Sequence, residues 1–471
     1  MTSNNFLRGE KVGRLMVRLS LPAISGMIIF SLFSLVDTFF VAQLGIQALA
    51  AITLCVPIEI LLVSVGSATG VGITSLLSRT LGQENYSQAD NIAWHGLIIC
   101  LFYGLLFSWL GVINVDRLLL LFGCTPELQG LCREYLSIIL LGSLFTFIPM
   151  TCGNILQGEG NTILPMFTAL AAIIVNVMLD PLFIFGWGPL PPMGLAGAAW
   201  ADVVAQAFCS VIALGTMYRS RVYLSWSRGH FRPDILVLIE IYRVGLPTLL
   251  MELFSVGLLV FFNKILMSFG SVAVAVMGIF ARIRSLFYTP VYGLTQGTMP
   301  IIGFAYGAGN HDRVKETIIK STIVSLVFVT IGWLAMQFNS HWLMQRFTSD
   351  PELIAAGISC MRLATLFLPV MGPIIILGSV LQAMGRGFSA MVLSMTRQAV
   401  FFIPSILVLS HWWGISGMWL AFSVTELLSS LLALVFFIRL WQSLYPSRRS
   451  PGFRLLMPGN LLDRVTAWLK W

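Results

Sequence analysis

Long apolar runs dominate the chain and are separated by short polar segments. Each run is long enough to form a helix of the about 20 residues that a bilayer requires. The runs are continuous and do not alternate with polar residues, which excludes the strands of a membrane β-barrel. The pattern predicts twelve transmembrane helices, at approximately 17–42, 49–78, 91–113, 133–157, 163–185, 195–218, 239–267, 273–303, 317–338, 356–384, 388–410 and 415–441.

The second half of the chain repeats the first at an offset of 225 residues. Glycine, proline, glutamine and asparagine recur at this offset without a gap over about 140 residues, which chance does not readily explain. The matches include Arg18 with Arg243, Pro22 with Pro247, Gly45 with Gly270, Gly72 with Gly297, Asn85 with Asn310 and Gln157 with Gln382. The register then slips by five residues, so that Gly194 and Gly197 match Gly414 and Gly417.

Six helices in each half, an even number, insert the two halves with the same orientation. Parallel repeats of this kind place a substrate path between the halves. We therefore predict an all-α integral membrane protein with an N-terminal lobe (1–218), a linker (219–238), a C-terminal lobe (239–441) and a tail (442–471).

The distribution of charge supports this topology. Only 10% of the residues are charged and 57% are hydrophobic, whereas soluble domains carry about 25% charged residues. This excludes a soluble enzyme and a disordered protein. With the N-terminus placed inside, 21 Lys and Arg, Arg397 among them, fall on the inner side and 5 on the outer side. Both termini and the linker are thus predicted to be cytoplasmic, and the net charge of +8 reflects this bias and not nucleic-acid binding.

Six acidic residues lie within the predicted spans, where an acid costs about 2.5–3.5 kcal/mol on insertion scales. Asp37, Asp180 and Asp202 are expected roughly 8–10 Å below the outer boundary, at about 1.5 Å per residue. Asn176 lies one turn before Asp180, on the same helix face. This cluster suggests a site that exchanges protons or that ligates Na⁺ through Asp37, Asn176 and Asp180. The alternative is a hydrogen-bonded network with only a structural role.

The equivalent positions of the second half are apolar, with Phe262 opposite Asp37 and Phe401 opposite Asn176. We therefore expect a polar interior in the first lobe and an apolar interior in the second. Arg282 and Arg284, within the eighth span, either snorkel or pair with an acid of the second half. Further candidates for a cavity are Glu59, Asn154, Glu252, Gln296 and Glu426.

Pro22 lies in the first span, fifteen residues before Asp37. A proline inside a helix removes a backbone hydrogen bond and lets the helix bend. Pro22 is therefore a candidate hinge, with a proline tolerated in the first helical turn as the alternative.

Several classes of function are disfavoured by what the sequence lacks. It has no His- or Asp-rich catalytic motif at a membrane face, so an integral membrane enzyme is not expected. It has no Walker loop, so ATP does not drive it directly. No cofactor is expected apart from Na⁺ as a coupling ion. Cys124 and Cys132 share a loop and could pair only in an oxidising compartment.

The chain resembles the multidrug and toxic compound extrusion (MATE) family over nearly its whole length, closest to the bacterial DinF-like branch. Each motif is weak alone, but together and in order they are specific. The resemblance lies in Leu21-Pro22, Asp37 to Val41, Leu44-Gly45, Leu81-Gly82, Asn176 to Asp180, Gly194 to Ala199, Arg282 to Pro290, Gly293, Gln296-Gly297, Pro300-Ile301 and Tyr306 to Ala308.

This resemblance implies an antiporter with two six-helix lobes and a central cavity. It implies export of amphipathic, often cationic, drug-like compounds across the bacterial inner membrane, driven by inward flow of H⁺ or Na⁺. Residues matching Asp37, Asn176 and Asp180 would form the first-lobe cation site, and the first helix would bend at Pro22. We expect a monomer.

The sequence departs from the family pattern at three points. Asp202 stands where the motif commonly has Thr, the span 356–384 lacks an acid that some relatives carry, and Glu252 lies one turn before a family Glu. A lipid-linked sugar flippase of the same superfamily is the nearest alternative, although such proteins usually have more helices and a cationic cavity. A channel is a further alternative, which saturation of the flux and counter-transport would distinguish from a carrier.

Overall fold

The computed structural model describes residues 6–186, 191–220, 223–226 and 228–444, and within them all regular secondary structure is helical. The first lobe contains nine helices: α1 (Phe6–Gly9), α2 (Val12–Ala42), α3 (Ile46–Gly82), α4 (Tyr86–Ile113), α5 (Val115–Leu121), α6 (Gln129–Leu141), α7 (Ser143–Gly158), α8 (Ile163–Ile184) and α9 (Gly194–Ser220).

The second lobe follows in the same order. It contains α10 (Ile235–Met267), α11 (Ser271–Gly307), α12 (His311–Phe338), α13 (Ser340–Gln345), α14 (Pro351–Ala364), α15 (Met371–Ala383), α16 (Gly387–Met395) and α17 (Ile403–Leu444), with a π-helix at Thr396–Phe402 between the last two. From residue 445 onward, the predicted tail lies outside the described residues.

Nine helices of the described chain are long and apolar enough to cross a membrane, and two bent pairs bring the number to eleven. The last of them, 387–444, has 58 residues. A straight helix of that length would measure about 87 Å, nearly three times the hydrocarbon thickness of about 30 Å. It is broken at Gly414, whose φ of 58° and ψ of −136° are not helical. Dividing it there gives the twelve predicted spans.

The fourth and tenth spans are broken where straight helices were predicted. α6 and α7 meet at 47° and α14 and α15 at 53°. The first break is at Gly142, where an added Cβ would lie 2.3 Å from a methyl group of Val203, so the absence of a side chain lets α9 approach. The second includes Pro369, which has no amide N–H to continue the helix. The breaks fall at equivalent positions of the repeat, which confirms that the two lobes share one architecture.

The lobes contact each other closely at the end of the membrane where the linker lies, called the linker side below. Added Cβ atoms at Gly72, Gly82 and Gly307 would lie 2.0–2.3 Å from backbone oxygens of the opposite lobe. The backbones can approach this closely only because glycine has no side chain. The conformation is therefore closed on the linker side.

Polar groups reinforce this closure. Ser75 donates to the carbonyl of Gln382 at 2.5 Å, and the guanidinium of Arg313 donates to the carbonyl of Glu10 at 2.8 Å. Tyr103 and Tyr242 join their hydroxyl groups at 2.5 Å. Each of these bonds links one lobe to the other.

The linker is bound to the first lobe by two buried carboxylates. Glu159 accepts hydrogen bonds from the backbone N–H groups of Tyr223 and Leu224, each at 3.0 Å. Asp90 accepts from the backbone N–H and the hydroxyl of Ser225 and lies 2.8 Å from that nitrogen. Nδ1 of His230 lies 2.7 Å from Asp90. We call these contacts the linker clasp.

The clasp continues up to the start of the second lobe. The side chain of Asn91 accepts from the backbone N–H of Arg232 at 3.0 Å. His95 accepts from the backbone N–H of Asp234 at 3.1 Å, and Asp234 itself caps α10.

All seven cysteines are free thiols, including Cys124 and Cys132. Cys132 is buried and directs its sulfur to the carbonyl of Ala51, 3.6 Å away. The fold therefore does not use the disulfide that the shared loop made conceivable.

Candidate functional site

The first lobe encloses a cavity of about 230 Å³ between α2, α7, α8 and α9. Its walls are mainly apolar, and Asn176, Asp202 and Gln206 supply polar groups. In such a cavity, a few polar side chains are shielded from bulk water and can still contact a small ligand.

The structure brings the residues of the predicted cluster together as neighbours. Asn176 donates from Nδ2 to Oδ1 of Asp202 at 2.8 Å, which joins α8 to α9. Asp180 lies one turn further along α8 and is fully buried, with 0% of its surface exposed. Neither carboxylate oxygen of Asp180, nor the side-chain oxygen of Asn176, has a hydrogen-bond partner among the described residues.

Asp37 approaches this group from α2 and is half-buried. Its charge acts on both Asp180 and Asp202, so the three carboxylates converge on one region and do not face lipid separately. Glu59 joins them from α3, within electrostatic reach of Asp37 and beside the phenol of Tyr135. The sequence predicts Glu59 only as a possible cavity residue, and no local pattern points to Tyr135 or Gln206.

Four acids in one region cannot all be ionised without strong mutual repulsion. Buried oxygens without partners are satisfied by a proton, by water or by a small hard cation. The described residues contain no group of three His, Cys, Asp or Glu side chains with metal-site spacing. A Na⁺ ion at Asp37, Asn176 and Asp180 would therefore rest on two carboxylates and one amide.

Pro22 lies in the interior of α2, ten residues after its first residue, Val12. The alternative of a proline in the first turn is therefore wrong. The helix packs closely against α11 on both sides of this position. Added Cβ atoms at Gly293 and Gly297 would lie 2.6 and 2.5 Å from the Cα atoms of Ile24 and Ser20. The missing hydrogen bond of Pro22 thus lies within the contact between the lobes.

Three other candidates lie elsewhere. The hydroxyl of Thr74 donates to the backbone carbonyl of Asn154 at 2.8 Å. The side-chain amide of Asn154 packs against Gly70, so Asn154 joins α7 to α3. The backbone carbonyl of Gln296 accepts from Gln157 at 2.6 Å, again between the lobes. Glu252 accepts from the hydroxyl of Ser67 at 3.3 Å and so lies at the lobe interface.

Glu426 lines a second cavity, of about 220 Å³, inside the second lobe. Phe262 lines it, and so does Phe402, one residue beyond the expected Phe401. The π-helix Thr396–Phe402, which ends at this position, widens the turn and accounts for the shift.

The expectation of an apolar second lobe is incomplete, because Arg284 and Arg397 line the same cavity. The prediction that Arg397 lies on the inner side is wrong, because it lies ten residues into the eleventh span. Arg284 forms no ion pair within the described residues. It stacks on aromatic rings, and its charge acts on Glu426 of the same cavity without a direct ion pair.

Comparisons with known proteins agree with this architecture. The MatE family profile matches the chain twice, over residues 22–182 and 247–408, one match in each lobe. An FAD transporter of Shewanella oneidensis is 28% identical over 91% of this chain and 95% of its own length. The multidrug export protein MepA of Staphylococcus haemolyticus is 25% identical over 91% and 94%. The solved structure of an outward-facing multidrug resistance MATE transporter superposes with a TM-score of 0.87 at 25% identity, over 94% of this chain and 99% of the other.

Proposed function

Because the chain belongs to the MatE family of membrane transporters, we propose that it is a secondary antiporter that exports amphipathic, often cationic compounds in exchange for H⁺ or Na⁺. It is a multi-pass membrane protein and not an enzyme. MepA, a relative over most of its length, is a multidrug export protein, which supports drug-like cargo. The lipid-linked sugar flippase considered from the sequence is not favoured by these relatives.

One observation carries the proposal. Asp180 is fully buried, has no partner for either carboxylate oxygen within the described chain, and lies among the charges of Asp37 and Asp202. Such a group is stable only when a proton or a small cation neutralises the cluster. Binding and release of that cation would then change the free energy of the first lobe.

Coupling follows if the two conformations bind the cation differently. A cation that binds one conformation more tightly shifts the equilibrium toward it, and cargo that prefers the other conformation shifts it back. The cleft between the lobes opens alternately to each side, and α2 bends at Pro22 while the lobes rock. The linker-side closure is one end state of this cycle.

The orientation completes the proposal. We propose that the linker and both termini are cytoplasmic, which the excess of Lys and Arg on the linker side supports. The closed linker side is then the cytoplasmic side, and the cleft faces outward. We place the transporter in the bacterial inner membrane, as a monomer.

The test is efflux from proteoliposomes under separate pH and Na⁺ gradients. Asp180→Asn removes the titratable group and keeps the volume, so gradient-driven efflux should fall at least tenfold, about 1.4 kcal/mol of coupling. Glu134→Gln, an exposed acid of the same lobe, is the matched control and should retain efflux. Wild-type efflux by Asp180→Asn under either gradient would refute the assignment.

The two gradients also separate the coupling ions. Efflux driven by a pH gradient in the absence of Na⁺ identifies a proton antiporter. Efflux that requires a Na⁺ gradient at constant pH identifies Na⁺ at Asp37, Asn176 and Asp180. Asp37→Asn should abolish coupling in either case while leaving insertion and folding intact.

A further inference from the structure

We propose that the second-lobe cavity is a binding site for a compact aromatic anion, whose carboxylate or phosphate is held by Arg284 and Arg397 and whose ring lies against Phe262, Phe402 and Phe422. The proposal names a ligand class for a lobe to which the coupling mechanism assigns no role. It rests on the proposed function only in taking this ligand to be cargo, because binding itself requires no gradient.

The two arginines lie deep in the membrane. Arg284 is 13 residues from the start of α11 and Arg397 is 10 residues from the start of α16. At about 1.5 Å per residue, each lies about 15–20 Å from its helix end, close to the middle of the bilayer. Both side chains line the interior cavity, and arginines that face the interior at this depth mark pathways or ligands, since lipid cannot solvate them.

Neither arginine forms a direct ion pair with an acid of the described chain, although the charges of both act on Glu426 in the same cavity. No carboxylate lies within 4.0 Å of either guanidinium in the described part of the chain. Arg397 donates to the sulfur of Met371 at 3.1 Å, which is a weak acceptor. Arg284 lies over the rings of Phe280, Tyr288 and Phe422 at 5.2–5.7 Å from their centroids. The guanidinium groups of both arginines therefore retain N–H donors that can bind an anion.

The only acid on the cavity wall is Glu426, which is 3% exposed and has one oxygen without a partner among the described residues. Two arginines against one glutamate leave a surplus of positive charge. An anion that enters the cavity would complete the charge balance and accept the unused hydrogen bonds.

The aromatic residues supply a surface for a ring. Phe262, Phe402 and Phe422 form a closed group, with centroid separations of 4.9–5.9 Å. Gln398 and Ser255 add polar edge contacts, since the hydroxyl of Ser255 donates to Gln398 at 3.0 Å. The volume of about 220 Å³ is below the about 300–1,000 Å³ of sites for drug-sized ligands, which limits the ligand to one or two rings.

Comparison of the repeats shows that charge has been inverted between the lobes. At the offset of 225, Arg284 stands at the position of Glu59 and Phe262 at that of Asp37. After the five-residue slip, Phe422 stands at the position of Asp202. One ancestral cavity has thus become acidic in the first lobe and cationic and aromatic in the second.

The cavity has an opening toward the other lobe. Ser255 and Leu259 line it and are exposed. They lie three and seven residues beyond Glu252, on the same face of α10, and Glu252 contacts Ser67 of the first lobe. A ligand can therefore enter from the cleft between the lobes.

The test measures equilibrium binding to the full-length protein in lipid nanodiscs by dialysis. The probes are 1-naphthyl phosphate, 1-naphthoate, 1-naphthylmethylammonium and 1-naphthalenemethanol, which share a ring and differ in charge. We expect the anions to bind at least about tenfold more tightly than the other two. The ratio of phosphate to carboxylate affinity then identifies the anionic group. Equal binding of all four probes would overturn the proposal.

Variants locate the site. Arg284→Gln and Arg397→Gln should each weaken anion binding about tenfold. Arg282→Gln, on the same helix but exposed and outside the cavity, is the matched control and should bind normally. Anion binding by Arg284→Gln and Arg397→Gln equal to that of Arg282→Gln would place the ligand elsewhere and refute the proposal.

A variant that adds a negative charge to the cavity distinguishes a loss of charge complementarity from a loss of folding. Gln398→Glu is nearly isosteric, keeps the oxygen that accepts from Ser255, and adds a negative charge to the cavity. It should weaken binding of 1-naphthyl phosphate and strengthen binding of 1-naphthylmethylammonium, which a folding defect cannot do. An unchanged preference for the anion would contradict the proposal. Failure of these assays leaves the efflux test of Asp180→Asn unaffected, so the two proposals can fail separately.

Discussion

The side-chain amide of Asn176 donates to the carboxylate of Asp202 at 2.8 Å, so the fifth and sixth spans share a hydrogen bond at the depth of Asp180. This bond fixes Asp202 in the cavity wall, while Asp180 keeps both oxygens unpartnered within the described chain. The two aspartates are thus close together but differently placed, one structurally engaged and one free to bind a cation.

Asn176→Ala should destabilise the protein and impair efflux together. Loss of the Asn176 amide leaves Asp202 without a hydrogen-bond donor among the described residues, which costs about 1 kcal/mol for a half-buried group, the lower end of the range for buried groups. The measurement is the thermal unfolding temperature in detergent combined with efflux from proteoliposomes. Gln206→Ala, in the wall of the same cavity, should change both much less. Equal effects of the two variants would show that the Asn176–Asp202 bond has no special role.

Glu159 predicts a pH dependence of stability. Burial raises its pKa to about 7, the charge of Asp90 acts in the same direction, and the N–H groups of Tyr223 and Leu224 oppose them. A raised pKa means that the native state holds the proton more tightly. This stabilisation is complete below about pH 4.5 and is lost as the pH rises to about 7, on the order of 3 kcal/mol.

The unfolding temperature measured between pH 4.5 and pH 8 checks this sign. Glu159→Gln still accepts from both N–H groups and should flatten the profile. Glu159→Ala leaves those two N–H groups unsatisfied and should lower stability at every pH, by about 1–3 kcal/mol for each orphaned group. A wild-type profile retained in Glu159→Gln would exclude this carboxyl as its source.

Gly307→Val should open the linker side. The position lies 2.0 Å from the carbonyl oxygen of Arg79 when a Cβ is added, so any larger side chain forces α11 and α3 apart. We expect faster hydrogen exchange in 68–82 and at least tenfold weaker efflux. Gly309→Val is the control. Gly309 has a positive φ but open space around an added Cβ, so this variant tests backbone strain without a clash between the lobes. Unchanged exchange in Gly307→Val would show that the lobes are not sealed there.

Pro22→Ala should impair transport without loss of stability. Alanine restores the backbone N–H that proline removes from the middle of α2, which straightens and stiffens the helix. Pro247→Ala tests the equivalent position of the second lobe, where the proline is buried. We expect reduced efflux for Pro22→Ala and a smaller effect for Pro247→Ala. Normal efflux by both would remove the hinge from the mechanism.

The sequence predicted the spans and the first-lobe cluster because both follow from simple rules. Apolar length gives the number of helices, and the helical rise gives the depth of an acid along its span. These rules predict that Asp37, Asp180 and Asp202 share one depth in the membrane. Which of them bonds to Asn176 depends on helix rotation, which a nearly uniform apolar face does not reveal.

The second lobe shows where such reasoning ends. The expected excess of positive charge on the cytoplasmic side predicts Arg397 there, yet Arg397 lines an interior cavity. The π-helix at Thr396–Phe402 rotates the following residues, and the spacing of apolar residues gives no sign of it. The bends at Gly142 and Pro369 likewise depend on packing against neighbouring helices. Tertiary contacts, and not local pattern, decide these features.

The linker clasp determines where the molecule can pivot. His95 of the first lobe holds the N–H of Asp234, the residue that starts α10, so no slack chain separates the lobes at that point. Any rotation of the second lobe must therefore leave this corner almost still. The largest displacement falls at the opposite rim of the cleft, and the connection that looks like a loose tether acts as a fulcrum.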